Sequence, residues 1–140
     1  MEKVQVFLDT DVVISALFSE KGASYQIIKN SLIIKIISFT VRKEIKEVSK
    51  RLEIKSQKVK KILKDISCQS LKTTKKEILK NYKKFVFDES DSHVVAGIDK
   101  TKIKFLLTHN LRHYKTDKIK AELDILVFKP GNFLQYLRSI

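Results

Sequence analysis

Apolar residues fall in short runs broken by polar turns, and their spacing changes along the chain. Val4-Gln5-Val6-Phe7-Leu8 is a compact apolar run ending at Asp9, which predicts a buried strand. Thr10 or Asp11 can cap a following helix through Val12, Val13, Ala16 and Leu17, with Gly22 as its breaker. Tyr25 to Ile28 reads as a second short helix, and Leu32 to Ile37 as another strand-like run. From Thr40 the period becomes helical, with Val41, Ile45, Val48 and Leu52 on one face. Val59, Ile62, Leu63 and Ile66 form the stripe of a helix from about Ser56, and Cys68 is placed on that same helix. Thr74-Lys75-Lys76-Glu77 has capping-box form and opens a basic helix to about Lys84, while Phe85-Val86-Phe87 is short and extended at best.

The last third repeats the alternation. Ser90 or Asp91 starts a helix with Val94, Val95 and Ile98, and Ile103 to Leu107 is a buried strand ending at Thr108-His109-Asn110. Ile125 to Phe128 is a final strand, followed by Pro130 and a helix that Asn132 can cap. Strands alternating with helices imply crossover connections, hence an α/β fold: a three-layer α/β/α sandwich around a central, mainly parallel sheet. No repeat or linker interrupts residues 1–140, so one domain is expected.

Composition narrows the class. At 43% hydrophobic and 32% charged, the chain is globular rather than disordered. No apolar run reaches the roughly 20 residues of a membrane span, and the N-terminus lacks a signal-peptide layout, so a cytoplasmic protein without a membrane partner is expected. The lone Cys68 excludes an internal disulfide framework and a thiolate-rich zinc site.

The net charge is +13, and it is concentrated. Between Arg42 and Lys84 stand sixteen basic and five acidic residues, whereas the remaining positions are nearly neutral. Such a block suits a polyanion, because neutralised phosphates release their counterions. Arg42, Lys43, Lys58, Lys60 and Lys61 are the candidate nucleic-acid-binding residues.

In open parallel sheets, ligands bind at the carboxyl ends of strands. Two predicted strands end in polar clusters, Asp9-Thr10-Asp11 and Thr108-His109-Asn110. Asp91 lies in the first turn of its helix, where the helix dipole favours a carboxylate, and Glu44 lies at the edge of a buried face. Brought together by the sheet, Asp9, Glu44, Asp91 and Asn110 would form an oxygen-rich pocket. Clustered carboxylates repel, and Mg²⁺ or Mn²⁺ relieves that repulsion with carboxylate and water ligands. An acidic metal pocket beside a basic flank suggests a nuclease. His109 and His113 have metal-pair spacing but lack a third nitrogen or sulfur ligand, so they read as structural; His93 reads as a surface residue. Glu47 is the fallback for Glu44 should its helix be rotated.

Several segments then resemble the PIN-domain family, in particular its VapC-like toxin-type ribonucleases. Leu8-Asp9-Thr10-Asp11-Val12-Val13-Ile14-Ser15-Ala16-Leu17 resembles the family's opening D-T-N-V-L-I-S-A-L signature. Thr40-Val41-Arg42-Lys43-Glu44-Ile45 is similar to the segment bearing its second acid, and Asp88 to Ala96 to its D-x-x-D-x-x-v-l-x-A segment. Phe105 to Asn110 resembles the strand ending in T-x-D or T-x-N, and Pro130-Gly131-Asn132-Phe133-Leu134 the terminal P-x-x-F-L. The resemblance implies a Mg²⁺- or Mn²⁺-dependent endoribonuclease, the toxin of a toxin–antitoxin pair, with RNA and an antitoxin as partners and a homodimer plausible. It makes Asp9, Glu44 and Asp91 the catalytic acids and metal ligands, places Asn110 where many members carry a fourth acid, and gives Thr10, Asp11, Ser15 and Thr108 supporting roles. Asp11 stands where the family has Asn, which adds a negative charge beside the metal. Two other readings remain: a degenerate PIN-like RNA-binding protein, and a haloacid-dehalogenase-like phosphatase using Asp9 as nucleophile and Asp11 as acid–base.

Overall fold

A computed structural model describes residues 3–140. The chain runs β1 (Val4–Leu8), α1 (Thr10–Phe18), α2 (Ala23–Lys29), β2 (Ile33–Ser38), α3 (Phe39–Arg51), α4 (Ser56–Leu63), β3 (Ser67–Gln69) and α5 (Lys75–Tyr82). It continues through α6 (Ser92–Lys100), β4 (Phe105–Leu107), α7 (Thr116–Leu123), β5 (Leu126–Phe128) and α8 (Pro130–Arg138). The five strands form one parallel sheet in the order β3-β2-β1-β4-β5. Right-handed crossovers put α1 to α4 on one face and α5 to α7 on the other. The packing agrees: α1 meets α2, α3 and α4, α8 lies on α2, and α5 lies on α6. Among the described residues no helix is long and apolar enough to cross a membrane.

The centre of the sheet is the most apolar part. Val6, Phe7 and Leu8 of β1 and Leu106 and Leu107 of β4 are fully buried, as strands covered by helices on both faces must be. α6 approaches β1 so closely that it uses a glycine at the contact. A Cβ on Gly97 would stand 2.6 Å from the Phe7 ring.

Local details depart from the sequence expectation in four places. Cys68 lies not on a helix but on β3, a three-residue polar edge strand paired to β2. α7 was not anticipated, because only Ile119 of its eight residues is buried. The cap of α1 is Asp9 rather than Thr10 or Asp11, its side chain accepting from the Thr10 N–H at 2.8 Å. Finally, α8 starts at Pro130, in the first-turn position that suits a residue without an N–H, so Asn132 is inside it.

Candidate active site

The register of the central strands assembles the site. β1 and β4 pair Leu8 with Leu107, so the next residues, Asp9 and Thr108, stand side by side at the carboxyl ends. Chain order reverses here, since β2 lies on one side of β1 and β4 on the other, which opens a crevice. Asp9, Thr10, Asp11, Ser15, Glu44, Asp91 and Asn110 all line that crevice, an open cleft of about 730 Å³. Every acid named from the sequence is therefore brought to one place. Glu47 also lines the cleft, from the same face of α3 as Glu44.

Asp9 is held at both of its oxygens. Its Oδ1 accepts from the Thr10 N–H, and its Oδ2 accepts from Thr108 Oγ1 at 3.0 Å and Tyr114 Oη at 2.7 Å. Glu44 Oε1 accepts from Thr10 Oγ1 at 2.9 Å and lies 3.2 Å from His93 Nε2. Burial pushes the Glu44 carboxyl up, but the hydrogen bond and charge of His93, with Thr10, outweigh it and hold the group below its ordinary value. Asp91 closes the 3₁₀ turn Glu89–Asp91 at the start of α6, 3.6 Å from His113 Nδ1. Burial and then the charge of Asp9 push it above the usual carboxylate range.

Asp11 behaves differently. It accepts from the His109 N–H, from Asn110 Nδ2 at 2.8 Å and from Thr108 Oγ1 at 3.2 Å. Burial, then the neighbouring Asp9, raise its carboxyl to about 6. The amide nitrogen of Asn110 is thus turned toward Asp11, a contact that an acid at position 110 would replace with repulsion. Ser15 lines the cleft but, among the described residues, makes no side-chain hydrogen bond to the acids.

Three residues of the site escape the sequence reading. Tyr114 follows a 3₁₀ turn over Leu111–His113 and is buried. Burial and Asp9 raise its phenol strongly, which keeps it a donor. Arg51, the last residue of α3, is the one Lys or Arg lining the cleft among the described residues. His93 is the third and a correction, for its side chain is only 13% exposed and faces Glu44. Of the histidines read as structural, His109 shares a 2.9 Å hydrogen bond with Ser24 and His113 faces Asp91. The candidate RNA-binding residues Arg42, Lys43, Lys58, Lys60 and Lys61 do not line the cleft. Arg42 and Lys60 line a separate groove, and Lys58 and Lys61 face α1 and α2.

The four acids Asp9, Asp11, Glu44 and Asp91 supply hard carboxylate oxygens, the chemistry of Mg²⁺ or Mn²⁺ sites, and His109 and His113 line the same cleft. Among the described residues no three His, Cys, Asp or Glu side chains form a ready-made metal cage. Mg²⁺ does not need one, because it commonly takes one or two carboxylates and completes its shell with water. Asp9 and Asp91, whose like charges repel and so raise the Asp91 carboxyl, fit that mode.

A parallel sheet in this order, with acids at the carboxyl ends of β1 and the start of α6, defines a PIN-type α/β fold. A family model described as PIN domain matches residues 5–112. The chain belongs to the PIN-domain family. Solved structures agree on the fold. VapBC2 from Rickettsia felis, bound to a DNA fragment from its promoter, superposes with a TM-score of 0.65 at 15% identity, covering 90% of this chain and 98% of that one. A toxin–antitoxin complex from Klebsiella pneumoniae gives 0.62 at 18% identity, with 89% and 97% covered. VapC20 from Mycobacterium tuberculosis, a sarcin–ricin loop cleaving toxin, gives 0.52 at 15%, with 72% and 86% covered. No curated protein sequence matches the chain.

Proposed function

We propose that this chain is a divalent-metal-dependent endoribonuclease, the toxin of a toxin–antitoxin pair, cutting RNA at the cleft between β1 and β4. The observation that carries the reading is the meeting of Asp9, Glu44 and Asp91 from three separate elements in one cleft. The PIN family and its toxin-type structural relatives point the same way. Asp9 and Asp91 would hold Mg²⁺ or Mn²⁺. When bound, such an ion lowers the pKa of a water and offsets charge gathering on a phosphodiester. Tyr114, Thr108 and the Thr10 N–H fix the two oxygens of Asp9, so the carboxylate loses no rotational freedom on binding. His93 and Thr10 keep Glu44 ionised and oriented, as a base or a water ligand requires. Lys43, Lys58 and Lys61 raise the local concentration of polyanion without touching the reacting atoms.

The phosphatase reading fits less well. It requires a lysine near the nucleophile, and among the described residues no lysine lines the cleft. Asp9 Oδ2, moreover, already accepts two hydroxyl hydrogen bonds. A binding-only protein is the remaining alternative. The test is cleavage of labelled single-stranded and structured RNA with Mn²⁺, Mg²⁺ or EDTA, beside Asp9→Asn. Metal-dependent cutting that the variant loses by at least about a hundredfold is the expected result. Equal cutting by the variant would discard the assignment, and salt-sensitive binding with no cutting in any metal would leave the binder.

A further inference from the structure

We propose, on the reading of the cleft as an RNA site, that Phe18 is a stacking platform for an unpaired base and makes the site select single strands. α1 and α3 follow neighbouring parallel strands and leave the same end of the sheet, so they run the same way. Each turns one stripe to the cleft: Asp11, Ile14, Ser15 and Phe18 on α1, and Glu44, Glu47, Val48 and Arg51 on α3. Both stripes have the i, i+3, i+4, i+7 spacing of one helix face. At the acidic end the two helices are tied by the 2.9 Å hydrogen bond from Thr10 Oγ1 to Glu44 Oε1. At the other end stand Phe18 and Arg51, each seven residues beyond the acid of its own stripe, or about 10 Å of helix.

Phe18 is 64% exposed although it is the bulkiest apolar side chain lining the cleft. A lone phenylalanine on a surface needs no explanation. This one continues inward into Ile14 and Val48, which are half-buried in the same wall. Its ring is therefore an apolar ledge inside a cleft that is otherwise polar, with a guanidinium lining the same end. That pairing selects the occupant. Unpaired bases stack on aromatic rings and on arginine planes, and every base has a face to offer. A phosphate or a metal ion gains nothing from a phenyl ring, and a duplex keeps its bases stacked on one another. Ten ångströms is about three stacked steps of roughly 3.4 Å. The base on Phe18 thus belongs to a nucleotide two or three positions from the bond that is cut.

The chain has no tryptophan, so Phe18→Trp puts a single indole on the platform and keeps a ring to stack on. It is made in the Asp9→Asn background with Mg²⁺ present, where RNA is held and not cut. A single-stranded RNA should quench the indole emission, and the same sequence in a blunt duplex should not. In the same background Phe18→Ala should weaken binding of the single strand by about fivefold or more, with thermal melts unchanged. Phe39→Ala removes a comparably exposed phenylalanine outside the cleft and should leave binding unchanged. With Asp9 restored, an abasic nucleotide two or three positions from the cut should slow cleavage about fivefold in the parent chain, and should not slow it further in Phe18→Ala. Equal abasic penalties in both chains would overturn the platform and leave the nuclease standing. So would an indole that single strands leave bright, or that a duplex quenches as well. Quenching by single strands alone, with no cutting in any metal, would keep the platform and discard the nuclease.

Discussion

Tyr114 donates its phenolic hydrogen to Asp9 Oδ2 at 2.7 Å, joining residues 105 positions apart at the centre of the cleft. The phenol is buried and the carboxylate is held at both of its oxygens. Tyr114→Phe keeps the ring packing and the backbone bridge to Val86 but removes that donor. A hydrogen bond to a charged group contributes about 1.5–3 kcal/mol, and Thr108 remains to offset part of the loss, so destabilisation of about 1–2 kcal/mol is expected. Urea unfolding measures it. The same variant should lower RNA cleavage about tenfold, since Asp9 gains freedom it must lose again in the reaction.

Asp11 predicts a pH dependence of stability. Its carboxyl is raised from an ordinary 3.8 to about 6, chiefly by burial and then by Asp9. The folded state therefore holds this proton more tightly than the unfolded state. The contribution favours folding below about pH 4 and is lost as pH rises through 6. Asp91, raised by the same two causes, acts in the same direction, and Glu44, held low, acts against it. Asp11→Asn should stabilise the protein by about 1–3 kcal/mol at pH 7.5 in EDTA. Thermal melts at pH 4 and pH 7.5 should show that gain only at the higher value.

The hydroxyl of Thr108 sharpens that expectation. It has one proton, yet stands 3.0 Å from Asp9 Oδ2 and 3.2 Å from Asp11 Oδ2. With both acids ionised it can satisfy one of them. Protonated Asp11, or Asn at that position, can donate to Thr108 while Thr108 donates to Asp9. Thr108→Val should remove that relay, lower cleavage, and abolish most of the gain that Asp11→Asn gives. A double-mutant cycle on stability checks it.

Arg51 and the lysines of α4 separate local from diffuse charge. Arg51 lines the cleft, and Lys58 and Lys61 do not. Arg51→Ala should lower kcat/KM for RNA about threefold to tenfold, more per charge removed than Lys58→Ala with Lys61→Ala. Cleavage rates across a salt series should show the lysine effect vanishing first.

Gly97→Ala tests the helix–sheet contact. The added methyl would meet the buried Phe7 ring at 2.6 Å. Overpacking costs about 1–3 kcal/mol, against the roughly 1 kcal/mol that Ala gains in helix propensity. A net loss of stability is expected in a denaturant titration.

What the sequence shows and what it hides follow from how each element is stabilised. β1, β2 and β4 are legible because burial on both faces demands apolar runs such as Val6-Phe7-Leu8, and the edge strand β5 because Leu126, Val127 and Phe128 are all apolar though only half-buried. β3 has only Ser67, Cys68 and Gln69 at a sheet edge, where no such run is needed. Asp9 and Asp91 are legible because strand ends and helix starts have recognisable local signatures, and Glu44 because it borders the apolar face of α3. Tyr114, His93 and Arg51 have none. Tyr114 reaches Asp9 by a fold-back after a 3₁₀ turn, and His93 meets Glu44 only because α6 and α3 converge on the cleft. Nor does the charge of the block reveal its geography, since α3 and α4 distribute neighbouring lysines among different surfaces.

The sheet order has a consequence for synthesis. β1 is made first but lies in the middle, and one of its two neighbours, β4, comes about a hundred residues later. Asp9 meets Thr108 and Tyr114 only after Tyr114 has left the ribosome. A nascent chain can pair β1 with β2 early, yet it holds no complete acidic cleft. The contacts that hold Asp9 are therefore completed only late, once the segment bearing Thr108 and Tyr114 has followed β1 by about a hundred residues.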